Sequence, residues 1–208
     1  MHATRFAHLI GGLAALCAAS VAPLAVAEEG AAVDPVVAQC LACHRADNPA
    51  QGVPRIAGQH AEYLRNQLRA FSEQHRDSFP MPAFVAGLDS AQLDDIAARL
   101  AALPWTESTV QGDEREAAAG GAELAARYDC ASCHGADFRG AGAIARTAGQ
   151  NQAYLQRQLD SFAGGDRYHP PVGSGISMDR ITAKDRRLLA AWLARFDIAR
   201  LDGEPQLP

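Results

Sequence analysis

The stretch "QCLACHRAD", Gln39 to Asp47, sets two cysteines three positions apart and follows the second directly with a histidine. Three chemistries use such a pattern: half of a zinc site, a redox-active dithiol, and covalent attachment of a c-type haem. The rest of the chain decides between them. "CLACHRAD", starting at Cys40, returns as "CASCHGAD" at Cys130. "AGQHAEYLRNQLRAF" at Ala57 returns as "AGQNQAYLQRQLDSF" at Ala148, and "LDSAQLDDIAARLAAL" at Leu88 resembles "ITAKDRRLLAAWLARF" at Ile181. Three matches in the same order, separated by small insertions, describe a tandem duplication. The polar stretch "PWTESTVQGDERE", Pro104 to Glu116, lies between the copies and reads as a linker. The expected organisation is a leader at residues 1–27, a first domain at 28–103, a linker at 104–116 and a second domain at 117–208.

Each copy reads as three main helices joined by loops. In the first, Asp34-Pro35 offers an N-cap followed by proline at the first helical position, and "VVAQCLAC" then runs into the cysteine motif. Tyr63, Leu64, Gln67, Leu68 and Phe71 recur at helical spacing. Ser90 is the expected cap of a third helix carrying Leu93, Ile96, Ala97 and Leu100, which stops before Pro104. The second copy repeats this plan with "GAELAARYDC", "QAYLQRQLDSF" and "AKDRRLLAAWLARF". Nothing alternates convincingly at period two, so the fold class expected is all-α.

The N-terminus has the form of an export signal. Arg5 precedes the apolar run "LIGGLAALCAASVAPLAV", and Ala25-Val26-Ala27 gives a small-x-small cleavage site. An uncleaved membrane anchor fits less well, because the run is short and interrupted by Pro23. The mature protein is therefore expected to be soluble and periplasmic. Its net charge, −5 for the whole chain, becomes more negative when Arg5 leaves. Such a chain has no electrostatic footprint for nucleic acid.

Of five cysteines, Cys17 belongs to the leader, which leaves Cys40, Cys43, Cys130 and Cys133. Two disulfides would be an ordinary use of four exported cysteines. Both pairs, however, form Cys-x-x-Cys-His, the attachment motif of a c-type haem. Two residues between the thiols let both reach the vinyl groups when the segment turns as a helix, and the next histidine can present its imidazole to the iron. A zinc site needs four ligands, and each motif offers three. A thioredoxin-like dithiol needs a βαβ context that is absent here. The expected cofactors are two covalently bound haem c groups, one on Cys40 and Cys43, the other on Cys130 and Cys133. His44 and His134 are the expected proximal ligands.

A low-spin iron needs a second axial ligand, commonly methionine. Two methionines remain beyond the leader, one per copy. Met81, in the proline-flanked loop "SFPMPAF", is the candidate for the first iron. Met178 is the candidate for the second, but aligning Leu88 with Ile181 sets Met81 opposite Ser174, so Met178 falls four residues late. His169 in the same loop is an alternative ligand, and an open position is another. His60, His75 and His169 are otherwise read as surface residues. On the proximal side, the Pro54 carbonyl is placed to accept a hydrogen bond from the His44 ring, and Ala145 takes the matching position in the second copy.

The tandem "CxxCH" units, each followed by "AGQ-x-x-x-YL-x-x-QL-x-x-F" and a terminal helix, resemble the cytochrome c4 family. The likeness covers nearly all of the chain after the leader. It implies two class I cytochrome c domains packed together, with haems close enough for rapid electron exchange. It also implies shuttling between a membrane quinol-oxidising complex and a terminal oxidase, with His44, Met81 and His134 as iron ligands. The function expected is electron transfer between respiratory redox partners rather than enzymatic catalysis, with any membrane association made through those partners. Two alternatives stand beside it. One is an electron-accepting subunit of a periplasmic dehydrogenase; the other is a haem enzyme, such as a peroxidase or thiosulfate dehydrogenase, with an open second site.

Overall fold

The computed structural model describes residues 35–45, 52–76, 78–105, 115–173 and 175–196. The leader, Asp34, most of the linker (106–114) and Ser174 lie outside the described residues. Within them the chain is helical, with two isolated β-bridges and no strand. The first copy forms α1 (Pro35–His44), α2 (Ala61–Ser72), the short α3 (Met81–Val85) and α4 (Ser90–Ala102). The second forms α5 (Arg115–Arg127), α6 (Ala131–His134), α7 (Gln152–Gly164), a 3-10 turn (Met178–Arg180) and α8 (Ala183–Ala194). No described helix is long and apolar enough to cross a membrane.

Local chemistry starts and stops these helices. The cap of α4 is Asp89 rather than the expected Ser90, which is the first helical residue. The Asp89 carboxylate accepts from the Gln92 backbone N–H at 2.9 Å, and the Gln92 side chain accepts from the Asp89 N–H at 2.9 Å. Both orphan donors are satisfied reciprocally, which a serine one position later cannot do. Asn151 and Thr182 cap α7 and α8 by one-way bonds, their side chains accepting from the Tyr154 and Asp185 N–H groups, and α7 ends on Gly165 in the left-handed conformation.

The two cysteine motifs are built differently. The first is the closing turn of α1, which runs unbroken through His44. In the second, α5 ends at Arg127, and Asp129 takes a positive φ of 51° before α6 starts. Aspartate is a weak helix former that tolerates the left-handed region, whereas its counterpart Gln39 continues its helix.

Each half has its own core. In the first, α2 packs on α4 and buries Leu64 against Ile96, Ala97 and Leu100, with Val37 of α1 at the edge. A second cluster joins Phe71, Val85 and Leu93, and Met81 packs against it. In the second half α8 packs on both α5 and α7. Its core gathers Leu124, Tyr128, Phe138, Leu155, Met178, Ile181 and Leu189. Gly121 permits the close crossing of α5 and α8, because a Cβ there would lie 2.1 Å from Cβ of Trp192.

The duplication is visible in the backbone. Gly58 and Gly149 hold φ of 69° and 68°, and each donates its N–H to the last helix of its own half, Gly58 to Leu100 and Gly149 to Leu193, both at 2.9 Å. A Cβ on Gly58 would meet the Trp105 backbone nitrogen at 2.4 Å, whereas one on Gly149 would meet only the Trp105 ring nitrogen at 3.5 Å. Alanine at either position adds left-handed strain of about 1–2 kcal/mol, and only Gly58→Ala adds a clash with backbone. Thermal unfolding should therefore place Gly58→Ala clearly below Gly149→Ala. Equal melting temperatures would contradict the backbone contact.

Candidate functional site

In each motif the cysteines sit three positions apart on a helical turn, so their side chains share one face. None of the four thiols is in a disulfide; Cys40 and Cys130 are half-buried, and Cys43 and Cys133 are exposed. Burial pushes the Cys40 thiol up and the Cys130 thiol to about 11, so both are neutral in this setting rather than reactive thiolates. Among the described residues no group of three or more His, Cys, Asp or Glu side chains is gathered as a cation site.

The histidines are held from behind. His44 Nδ1 bonds the Pro54 carbonyl at 2.7 Å, the contact expected from sequence. His134 Nδ1 bonds the Ala145 carbonyl at 3.0 Å, so loss of the proline preserves the acceptor. In both cases the bond makes Nδ1 the donor and Nε2 the nitrogen with the lone pair, the tautomer found in metal-bound histidines. Burial holds both imidazoles below the ordinary histidine pKa, against the opposing pull of the carbonyl acceptor. A neutral ring with an oriented Nε2 is the form that binds iron. The paired thiols, the anchored imidazole and the adjoining apolar core together fit a covalently attached haem in each half.

The candidate distal ligands sit in unlike surroundings. Met81 begins α3 and is half-buried beside Leu68, Phe71, Val85 and Leu88. Met178 is 5% exposed and belongs to the second core. His169 was expected at the surface, yet it is half-buried and its ring lies 6.4 Å, centroid to centroid, from that of His134. His60 is also half-buried, with Nε2 on the Arg139 carbonyl at 2.7 Å. Only His75 of the three is fully exposed.

Sequence reasoning missed the reciprocal contact between the halves. The Gln59 side chain accepts from the Arg146 N–H at 2.9 Å and donates to the Arg146 carbonyl at 3.0 Å. Its counterpart Gln150 accepts from the Arg55 N–H at 2.8 Å and donates to the Arg55 carbonyl at 2.9 Å. Farther along, Arg76 reaches Gln67, Tyr154 and Gln158 at 2.8, 3.1 and 2.8 Å. Arg167 mirrors it with Tyr63 at 3.1 Å, Gln67 at 2.9 Å and Gln158. Every contact in this set is matched by its repeat partner, so the halves meet about an approximate two-fold axis. Recurrence of Gln59, Tyr63, Gln67 and Arg76 as Gln150, Tyr154, Gln158 and Arg167 was the available signal.

Comparison with known proteins follows the same lines. A family model described as "Cytochrome c" matches residues 118–196. The chain is 34% identical to the thiosulfate dehydrogenase electron acceptor of Thiomonas intermedia, over 79% of this chain and 81% of that protein. It is 30% identical to cytochrome c4 of Pseudomonas aeruginosa, over 76% and 82% respectively. Among solved structures, cytochrome c4 of Acidithiobacillus ferrooxidans superposes with a TM-score of 0.64 at 29% identity, covering 76% of this chain and 98% of that one.

Gln59 and Gln150 are each 3% exposed, and removing them unpairs backbone groups of the other half, half-buried at Arg146 and buried at Arg55. Gln59→Leu and Gln150→Leu should each lower stability by about 1–3 kcal/mol, read from denaturant unfolding. A double variant should deviate from additivity, because the two amides serve one interface. Wild-type stability in both single variants would contradict the clamp.

Proposed function

The chain belongs to the cytochrome c4 family of dihaem electron-transfer cytochromes, and from that premise we propose that it is an exported carrier holding one haem c in each half. The observation that supports this reading most directly is the duplicated Cys-x-x-Cys-His motif whose histidine, in both copies, bonds a backbone carbonyl through Nδ1. Residues 28–103 and 117–208 form the two haem domains. Cys40 and Cys43 would attach the first haem, with His44 and Met81 holding its iron; Cys130 and Cys133 would attach the second, with His134 holding its iron. The second iron's other ligand comes from the loop after α7, which carries both His169 and Met178. When bound, each haem supplies one-electron Fe(III)/Fe(II) chemistry. The protein holds the imidazoles neutral and oriented, excludes water with its two cores, and fixes one half against the other.

The leader at residues 1–27 supports a periplasmic location, and redox proteins are the partners. A quinol-oxidising complex with a terminal oxidase is one pairing. The 34% identical relative from Thiomonas intermedia, named an electron acceptor of thiosulfate dehydrogenase, favours a second: the acceptor of a periplasmic dehydrogenase. In either pairing the protein carries electrons and performs no substrate chemistry of its own.

Denatured, solvent-extracted protein should retain two haems per chain, and the Cys130→Ala/Cys133→Ala variant should retain one. Haem that extracts freely from the wild type would contradict covalent attachment. Reduction by a thiosulfate dehydrogenase supplied with thiosulfate, at a rate well above that given by a quinol-oxidising complex, would select the dehydrogenase pairing; the opposite order would select the respiratory one.

A further inference from the structure

We propose that His169, not Met178, is the second axial ligand of the iron held by His134, which makes the two haem sites chemically unlike. This rests on the dihaem reading above. The rings of His134 and His169 are nearly parallel, inclined by 14°, with centroids 6.4 Å apart. Offset parallel rings pack with centroids about 4.5–7 Å apart, so this separation lies near the long limit of a packed pair. It also suits something else. Two imidazoles bound through nitrogen to opposite sides of one metal, at the usual bond of about 2.0 Å, hold their centroids roughly 6 Å apart.

The hydrogen bonds agree. His134 Nδ1 is on the Ala145 carbonyl at 3.0 Å, and His169 Nδ1 is on the Pro170 carbonyl at 2.6 Å. Each ring thus spends Nδ1 on the backbone and keeps Nε2 as the ligating nitrogen, the arrangement that orients metal-bound histidine. The His169 ring is also supported by Phe162 of α7, at 4.9 Å and 57°. Phe162 in turn lies under the Arg167 guanidinium at 4.7 Å, and Arg167 is fixed by Tyr63 and Gln67 of the other half. The segment carrying His169 is therefore anchored, not loose.

Met178 has a different occupation. It opens a 3-10 turn, is 5% exposed, and packs among Leu124, Tyr128, Ile181 and Leu189. That is the environment of a core-filling methionine, and it accounts for its displacement from the register of Met81. The first half has no equivalent of His169. Matching Arg167 to Arg76 sets Ser78 at that position, and His75 is exposed beside Glu73. Met81 therefore remains the ligand there. Imidazole in place of thioether lowers the reduction potential of the second site relative to the first. An electron on the second site then passes downhill to the first.

The test counts methionine ligands in wild-type protein whose two covalent haems have first been verified. In the reduced protein, proton NMR should show one ring-current-shifted methionine methyl signal per chain, and near-infrared spectra of the oxidised protein should carry the sulfur-to-iron band of one site. His169→Ala should convert half the ferric signal to a cyanide-binding form, while Met178→Leu leaves the spectra as they are. Two shifted methyl signals, or loss of one in Met178→Leu, would overturn the assignment. Absence of covalent haem would instead overturn the functional reading on which it rests.

Discussion

One short loop in each half does two jobs at once. In the first, the Pro54 carbonyl holds the His44 ring, and the very next residue, Arg55, has both backbone polar groups clamped by Gln150. In the second, Ala145 and Arg146 repeat the pairing with His134 and Gln59. The orientation of each motif histidine is thus one peptide away from a hydrogen bond to the opposite half. A displacement of the interface reaches the motif histidine directly, because the groups between are hydrogen-bonded backbone rather than mobile side chain. Buried polar networks of this sort are costly when partly broken and rigid when complete.

That coupling gives the duplication a physical purpose. Two separate domains could each hold a haem, but only a fixed interface keeps the two sites at a constant separation. The Arg76 and Arg167 contacts extend the contact beyond the clamp, each guanidinium spanning a glutamine of its own half and a tyrosine of the other. Both arginines are thereby held by several acceptors, which suits the planar fork of guanidinium better than lysine.

Much of this was legible in the chain. Helical periodicity around Leu64 and Leu93, the echo of Cys40 at Cys130, and the carbonyl beside His44 all follow from local rules. Local reasoning failed where a choice depended on neighbours in space. Asp89 outcompetes Ser90 as a cap because Gln92 can answer it, a contest decided by one residue of register. The break before Cys130 comes from Asp129 adopting a left-handed turn that Gln39 does not. The partners of Gln59 and Gln150 lie in the other copy, which no periodicity reveals. His169 looked like a loop histidine for the same reason, since its neighbour His134 is distant in sequence.

Two unequal one-electron sites, one in each half, are the central property proposed for this protein. A reductive spectroelectrochemical titration of the purified protein measures this directly. Uptake of two electrons per chain in two resolved steps, without a change in spin state, is the predicted result. A single electron per chain, or two electrons taken up at one common potential, would contradict it.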